Sequence, residues 1–220
     1  MGTHIKMRAK VKAKPRKKPL QQRSQLMVET ILEATARVLS RRGYEGTNTN
    51  VIAETAGISV GSIYQYFPNK DALIAALHER MSQRIFAVIR DTIENASANN
   101  LREAVAVLVH AVIEAHLIDP ALHRILEIEF PFFERSKKQG SVDMDIFEEI
   151  HGLLLRRRAE LKVSDLRLAA YMVVRMTESL VHAAVLEPPA DLELAVIEEG
   201  IVSAIVGYLT YEADPAKGRG

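Results

Sequence analysis

Residues 47–73 read TNTNVIAETAGISVGSIYQYFPNKDAL, and this stretch decides the fold because it sets two short helices around a glycine turn. Thr49 opens the first helix, with a hydroxyl able to cap backbone N–H groups, and Val51, Ile52, Ala53 and Ala56 carry it onward. Gly57 stops it, since the residue just past a helix end often needs a left-handed backbone that glycine adopts without a Cβ clash. Ser59 then caps a second helix from Val60 to about Tyr66. Ile52, Ala53, Ala56, Ile58 and Ile63 form the shared apolar contact, which leaves Ser62, Tyr64, Gln65 and Tyr66 mostly outward.

A helix that enters a DNA major groove must be slim at its leading end and must offer hydrogen-bonding groups to base edges and backbone. Val60, Gly61 and Ser62 supply the slimness. Gln65 can hold an adenine edge with two hydrogen bonds, Val60 or a tyrosine ring can touch a thymine methyl, and hydroxyls and Lys70 suit phosphate oxygens. The plainer reading is a helical hairpin whose polar face is merely wet. It accounts for any one of these residues but not for the whole string.

The string resembles the TetR/AcrR family of transcriptional regulators, over about Leu26 to Leu77. The matching features are Gly43-Tyr44 at the end of a first helix and Thr47 and Thr49 opening a second. Ile52-Ala53 and Ala56-Gly57 follow, then Ser59, Gly61, Ile63-Tyr64 and Tyr66-Phe67, with Lys70 and Leu73 beyond. The resemblance implies that Thr49, Tyr64, Tyr66 and Lys70 hold the DNA backbone while Ser59, Val60, Gly61, Ser62 and Gln65 face the groove. Tyr66 stands where the family very often has histidine, and Val60 where many members carry a polar or basic residue, so the operator sequence does not transfer.

Charge is unevenly spread over the 220 residues. The net is +1, yet nine of the 29 Lys and Arg fall in residues 1–23, and the first acid is Glu29, so the remainder carries 20 bases against 28 acids. Residues 1–22 read as a disordered basic arm, too charged and too poor in apolar residues to fold alone. It offers either an added grip on DNA phosphates or a minor groove, or a solubilising tail. There is no cysteine, hence no disulfide and no thiolate metal site, which agrees with a cytoplasmic location. No apolar run approaches the roughly 20 residues needed to span a bilayer, the start lacks a secretory signal's apolar segment, and no membrane partner is expected.

Helical periodicity fills the rest, and the fold class expected is all-α. Residues 23–73 make a three-helix, helix-turn-helix DNA-binding domain, 74–212 a larger helical effector-binding and dimerisation domain, and 213–220 a frayed tail. A helix from near Asn69 carries Leu73, Ile74, Leu77, Met81, Ile85 and Val88 past the first domain, so one helix joins both. Further helices are expected from Leu101 to before Asp119-Pro120, from Ile146 to Leu161, from Leu166 to Leu186 behind a Ser164-Asp165 cap, and from Asp191 to Tyr211. A short apolar segment, Leu122 to Phe130, and a polar loop, Glu134 to Ser141, lie between the first two of these.

The last two helices are apolar on more than one face, and Gly200, Ala204 and Gly207 permit close approach, so they call for a second surface such as a homodimer's. The resemblance implies the same four-helix interface. Two-fold symmetry would set two recognition helices about 34–36 Å apart on a near-palindromic operator. The resemblance also implies a small-molecule effector cavity. Candidates for its lining are His116, His123, Glu127, Phe130, Met172, Arg175, Met176 and His182 among aliphatic residues.

Catalysis, metal and cofactor find no support in the spacing. His110 and His116 are six apart, His116 and His123 seven apart across Asp119-Pro120, and no glycine-rich phosphate loop or nucleophile elbow is present. The expected function is a DNA-binding transcriptional regulator, a repressor released from its operator by a small molecule. A helical small-molecule-binding dimer or a sequence-nonspecific DNA coater are the alternatives.

Overall fold

A computed structural model describes residues 22–95, 97–126 and 139–212 of the chain. The arm before Gln22, the candidate ligand residues Glu127 and Phe130, and the tail from residue 213 lie outside them. Every α-helix or strand assigned among the described residues is an α-helix, and none of these helices is long and apolar enough to cross a membrane. The helices are α1 (Gln22–Arg42), α2 (Thr49–Ala56), α3 (Val60–Tyr66), α4 (Lys70–Asn95), α5 (Leu101–Leu117), α6 (Pro120–Arg124), α7 (Gln139–Arg156), α8 (Leu166–Leu186) and α9 (Leu194–Thr210). The chain divides into two compact units, with one break inside α4 between Arg80 and Met81 and another between Arg124 and Ile125, which with Leu126 belongs to the first unit.

The first unit grows from the apolar stripe of α1, where Ile31, Leu32, Ala34, Val38 and Leu39 are buried at helical spacing. Thr35 joins that stripe because its hydroxyl donates to the Ile31 carbonyl at 2.7 Å, satisfying the one polar group it buries. Gly43 closes the helix at φ +62°, and its N–H returns to the Leu39 carbonyl. In the turn that follows, Thr47 is buried and its hydroxyl donates to the Gly43 carbonyl at 2.6 Å. A Cβ at Gly46 would stand 2.5 Å from the Arg42 carbonyl oxygen, so the turn admits no side chain there.

The cap of α2 is Asn48, not Thr49. The Asn48 side chain accepts from the N–H groups of Asn50 and Val51, both at 3.0 Å, from an extended backbone that sets its oxygen over the helix end. Thr49 is the first helical residue, with its hydroxyl turned toward α3. At the other end the Gly57 N–H reaches the Glu54 carbonyl and the Ile58 N–H reaches Ala53, with Gly57 left-handed at φ 67°. This is a Schellman ending, which fixes the angle at which the chain leaves α2. Ser59 caps α3 as expected, accepting from the Ser62 N–H at 3.1 Å. Ile52, Ala53 and Ile63 are buried, and so is Phe67, which carries the chain out of α3. Ala56 and Ile58 are only half-buried.

Asn69 caps α4 through the Ala72 N–H at 2.8 Å, and Ala72, Leu73, Ile74 and Leu77 complete the first core.

In the second unit α5, α7, α8 and α9 enclose a single apolar cluster that includes Val109, Ile113, Ile150, Leu154, Val173, Val181, Ile205 and Leu209. Asn100 caps α5, and the Glu103 carboxylate accepts in return from the Asn99 N–H. Asp119 caps α6 through the Leu122 N–H, and Asp165 caps α8 through Arg167 and Leu168.

Two helices have bounds that differ from the sequence reading. α7 begins at Gln139 rather than Ile146 and ends at Arg156, where a 3-10 turn over Arg158–Glu160 leads to Leu161. The polar composition of its first turns hid them. α9 starts at Leu194 rather than Asp191. Large apolar side chains stay outside the cluster: Leu168, Tyr171 and Leu180 on α8 and Val196 on α9 are exposed.

Candidate nucleic-acid interface

α3 is seven residues long, and burial of Ile63 fixes which way it faces. Gly61, Tyr64 and Gln65 are exposed, while Val60, Ser62 and Tyr66 are half-buried at its flanks. Ser59 precedes the helix and is exposed, its hydroxyl 2.9 Å from that of Ser62. Each hydroxyl has one donor and two acceptor positions, so this pair keeps capacity for a further partner. A Cβ at Gly61 would come no nearer than 3.7 Å to the Ser59 hydroxyl, so packing within the chain does not require glycine there.

Three backbone-directed candidates are already held by neighbours. The Thr49 and Tyr64 hydroxyls lie 3.2 Å apart, which pins the tyrosine ring of α3 to the first turn of α2. Lys70 donates to the Tyr44 carbonyl at 3.0 Å and sits 3.5 Å above the Tyr44 ring. The Tyr44 hydroxyl in turn donates to Asp71 at 2.8 Å. Lys70 therefore ties the α1–α2 turn to the start of α4, and an ammonium with three donors can do so while still facing a phosphate. Sequence reasoning missed Tyr44 and Asp71 as the pair that orients Lys70. The signal was limited to a tyrosine behind Gly43, and the 27-residue separation hid the contact.

The candidate effector residues on the second unit fall into two groups. Met172, Arg175 and Met176 are half-buried on α8, and Arg175 is committed to an ion pair with Glu178 one turn on. A cavity of about 400 Å³, lined by residues including Ile93, Ala104, Leu108, Leu153, Arg157 and Glu160, contains none of them.

The three histidines, by contrast, meet. His116 of α5 and His123 of α6 are 5% and 2% exposed, and with half-buried His182 of α8 they bring ring nitrogens within 4.8 Å of one another. Ring centroids are 4.4, 4.9 and 5.2 Å apart. The spacing argument against such a cluster therefore fails in space. The Asp119-capped turn folds α6 back beside α5, and α8 supplies the third ring from 59 positions further along the chain.

The sequence model of bacterial regulatory proteins of the tetR family matches residues 31–77, and that of the tetracyclin repressor-like C-terminal domain matches residues 100–209. The fatty acid metabolism regulator protein of Bacillus subtilis is 30% identical over 147 residues, which cover 65% of this chain and 75% of that protein. The nucleoid occlusion factor SlmA of Haemophilus ducreyi is 30% identical over 121 residues, 55% of this chain, and the match spans only 57% of that relative's length. Among solved structures, the fatty acid degradation regulator FadR from Bacillus halodurans superposes with a TM-score of 0.67 at 22% identity, over 90% of this chain and all of that one.

Proposed function

The chain belongs to the tetR family of bacterial regulatory proteins, helix-turn-helix DNA-binding transcription regulators, and on that footing we propose that it is a repressor. It occupies a near-palindromic operator as a homodimer until a small-molecule effector favours a state that cannot bind DNA. The observation that carries this reading is the face of α3. A slim leading end at Val60, Gly61 and Ser62 is followed by exposed Gln65, and the helix is held by a Ser59 cap and a buried Ile63.

In this reading Gln65 and Ser62 read base edges, Ser59, Val60 and Gly61 face the groove with them and allow the backbone to approach, and Thr49, Tyr64, Tyr66 and Lys70 grip phosphates. Homodimerisation is supported by exposed Leu168, Tyr171 and Leu180 on α8 and Val196 on α9. Gly200 and Gly207 add to it, for a Cβ at either would meet none of the described neighbouring atoms within 4 Å, which leaves room for a partner helix. Release requires differential affinity, since an effector that bound both states equally would shift nothing. A 100-fold loss of operator affinity needs about 2.8 kcal/mol of preference for the DNA-incompetent state.

The test is selection of bound sequences from random duplex DNA at near-physiological salt, with the full chain and with the first 22 residues removed. A shared near-palindrome is expected. Salt-dependent binding without any enriched motif would identify a nonspecific DNA coater, and no binding at all would favour a helical small-molecule-binding dimer.

A further inference from the structure

We propose that His116, His123 and His182 form a binding site for a divalent transition-metal ion of the zinc type, inside the second unit. The proposal goes beyond the regulator reading and does not depend on it.

Three imidazoles from three helices converge, two of them buried. A buried imidazole must have its nitrogens satisfied, and one cation shared by three rings would satisfy a nitrogen of each. The hydrogen bonds at the rim of the cluster also set the tautomers. His116 Nδ1 is 2.6 Å from the Val112 carbonyl oxygen, and His123 Nδ1 is 3.2 Å from the Met81 thioether sulfur. A carbonyl oxygen and a thioether can only accept, so in the neutral form of both rings Nδ1 carries the proton and Nε2 the lone pair. A backbone carbonyl or another acceptor holding the far N–H of the imidazole is the usual outer support of a metal-ligating histidine.

The geometry also fits. Zinc–nitrogen bonds of about 2.0–2.1 Å in a tetrahedral arrangement place ligand nitrogens about 3.3 Å apart. The nitrogens here lie within 4.8 Å, and histidine χ2 is a broad torsion, so ring rotations can close the remaining gap. His182 is only half-buried, which gives an ion a way in and leaves a fourth position for water or another small ligand. An all-nitrogen set without thiolate suits Zn²⁺, Co²⁺, Ni²⁺ and Cu²⁺ over Mg²⁺ or Ca²⁺. Occupancy would tie α5, α6 and α8 together at one point.

Cobalt(II) is the probe, because a four-coordinate cobalt site shows intense visible d–d bands whereas an octahedral aquo ion shows weak ones. The full-length chain is stripped with chelator and titrated with cobalt, and zinc is then added to displace it. One cobalt per chain with four-coordinate bands is expected. His182→Ala should weaken binding at least about 100-fold, more than the loss of an outer support. His110→Ala should leave it unchanged, since that residue is exposed and faces Glu198 at 3.1 Å. His116→Gln should behave as His182→Ala does. Because His116 is buried, a folding defect in that variant is detected by circular dichroism and the half-buried His182 then carries the comparison. Absence of four-coordinate bands in the unsubstituted protein, or cobalt uptake that survives His182→Ala undiminished, would overturn the proposal.

Discussion

Gly57 and Gly61 are four residues apart and answer to different demands. Gly57 is fixed by backbone geometry: at φ 67° an L residue pays roughly 1–2 kcal/mol, although a Cβ would touch nothing. Gly57→Ala is therefore expected to lower unfolding free energy by about that amount in urea titration, with Gly57→Asn recovering part of it. Gly61 lies in ordinary helix, where alanine is the better residue by about 0.5–1 kcal/mol. Gly61→Ala should thus fold as well as the parent or better while losing at least tenfold in operator affinity, because the added methyl would stand on the face proposed to enter the groove. Equal affinity in that variant would remove Gly61 from the interface. Gln65→Ala should change preference at one or two operator positions, by about 1–3 kcal/mol in competition binding. A uniform loss across all base variants would assign it to the phosphate backbone instead.

At the scale of elements, the helix-turn-helix is set by its ends. Asn48 satisfies two N–H groups of α2, so Asn48→Ala should cost about 1 kcal/mol of stability. Thr49 makes no cap and instead meets the Tyr64 hydroxyl at 3.2 Å. Thr49→Val is expected to leave the thermal midpoint nearly unchanged while weakening DNA binding, because Tyr64 loses its anchor. A large fall in the midpoint would show that the threonine supports the fold rather than the proposed interface. The two adjacent residues thereby separate roles that the sequence reading had merged in Thr49.

For the whole molecule, the exposed apolar side chains of α8 and α9 are the surface proposed to pair two copies of the chain. Gly200 offers a probe of the proposed homodimer, since a Cβ there meets none of the described neighbouring atoms within 4 Å while a larger side chain would obstruct a partner helix. Gly200→Leu is expected to sediment as a monomer with unchanged helicity and to lose operator affinity steeply, because two half-sites are no longer engaged together. A variant that remains dimeric would move the interface away from this face.

Much of this was legible from residues alone. The all-helical class, the break at Gly57, the Ser59 and Asp165 caps and the burial of Ile52, Ala53 and Ile63 follow from local rules, since caps, left-handed turns and helical periodicity act over a few residues. The same locality explains the errors. The first turns of α7 carry no apolar period, and Thr49 and Asn48 are both competent caps, so only the extended backbone of Asn48 chose between them. Long-range contacts left no trace in the spacing. Lys70 and Tyr44 are 26 residues apart, and His182 joins His116 and His123 from another helix. Side-chain partners on different helices are set by how helices pack, and the tertiary structure alone decided them.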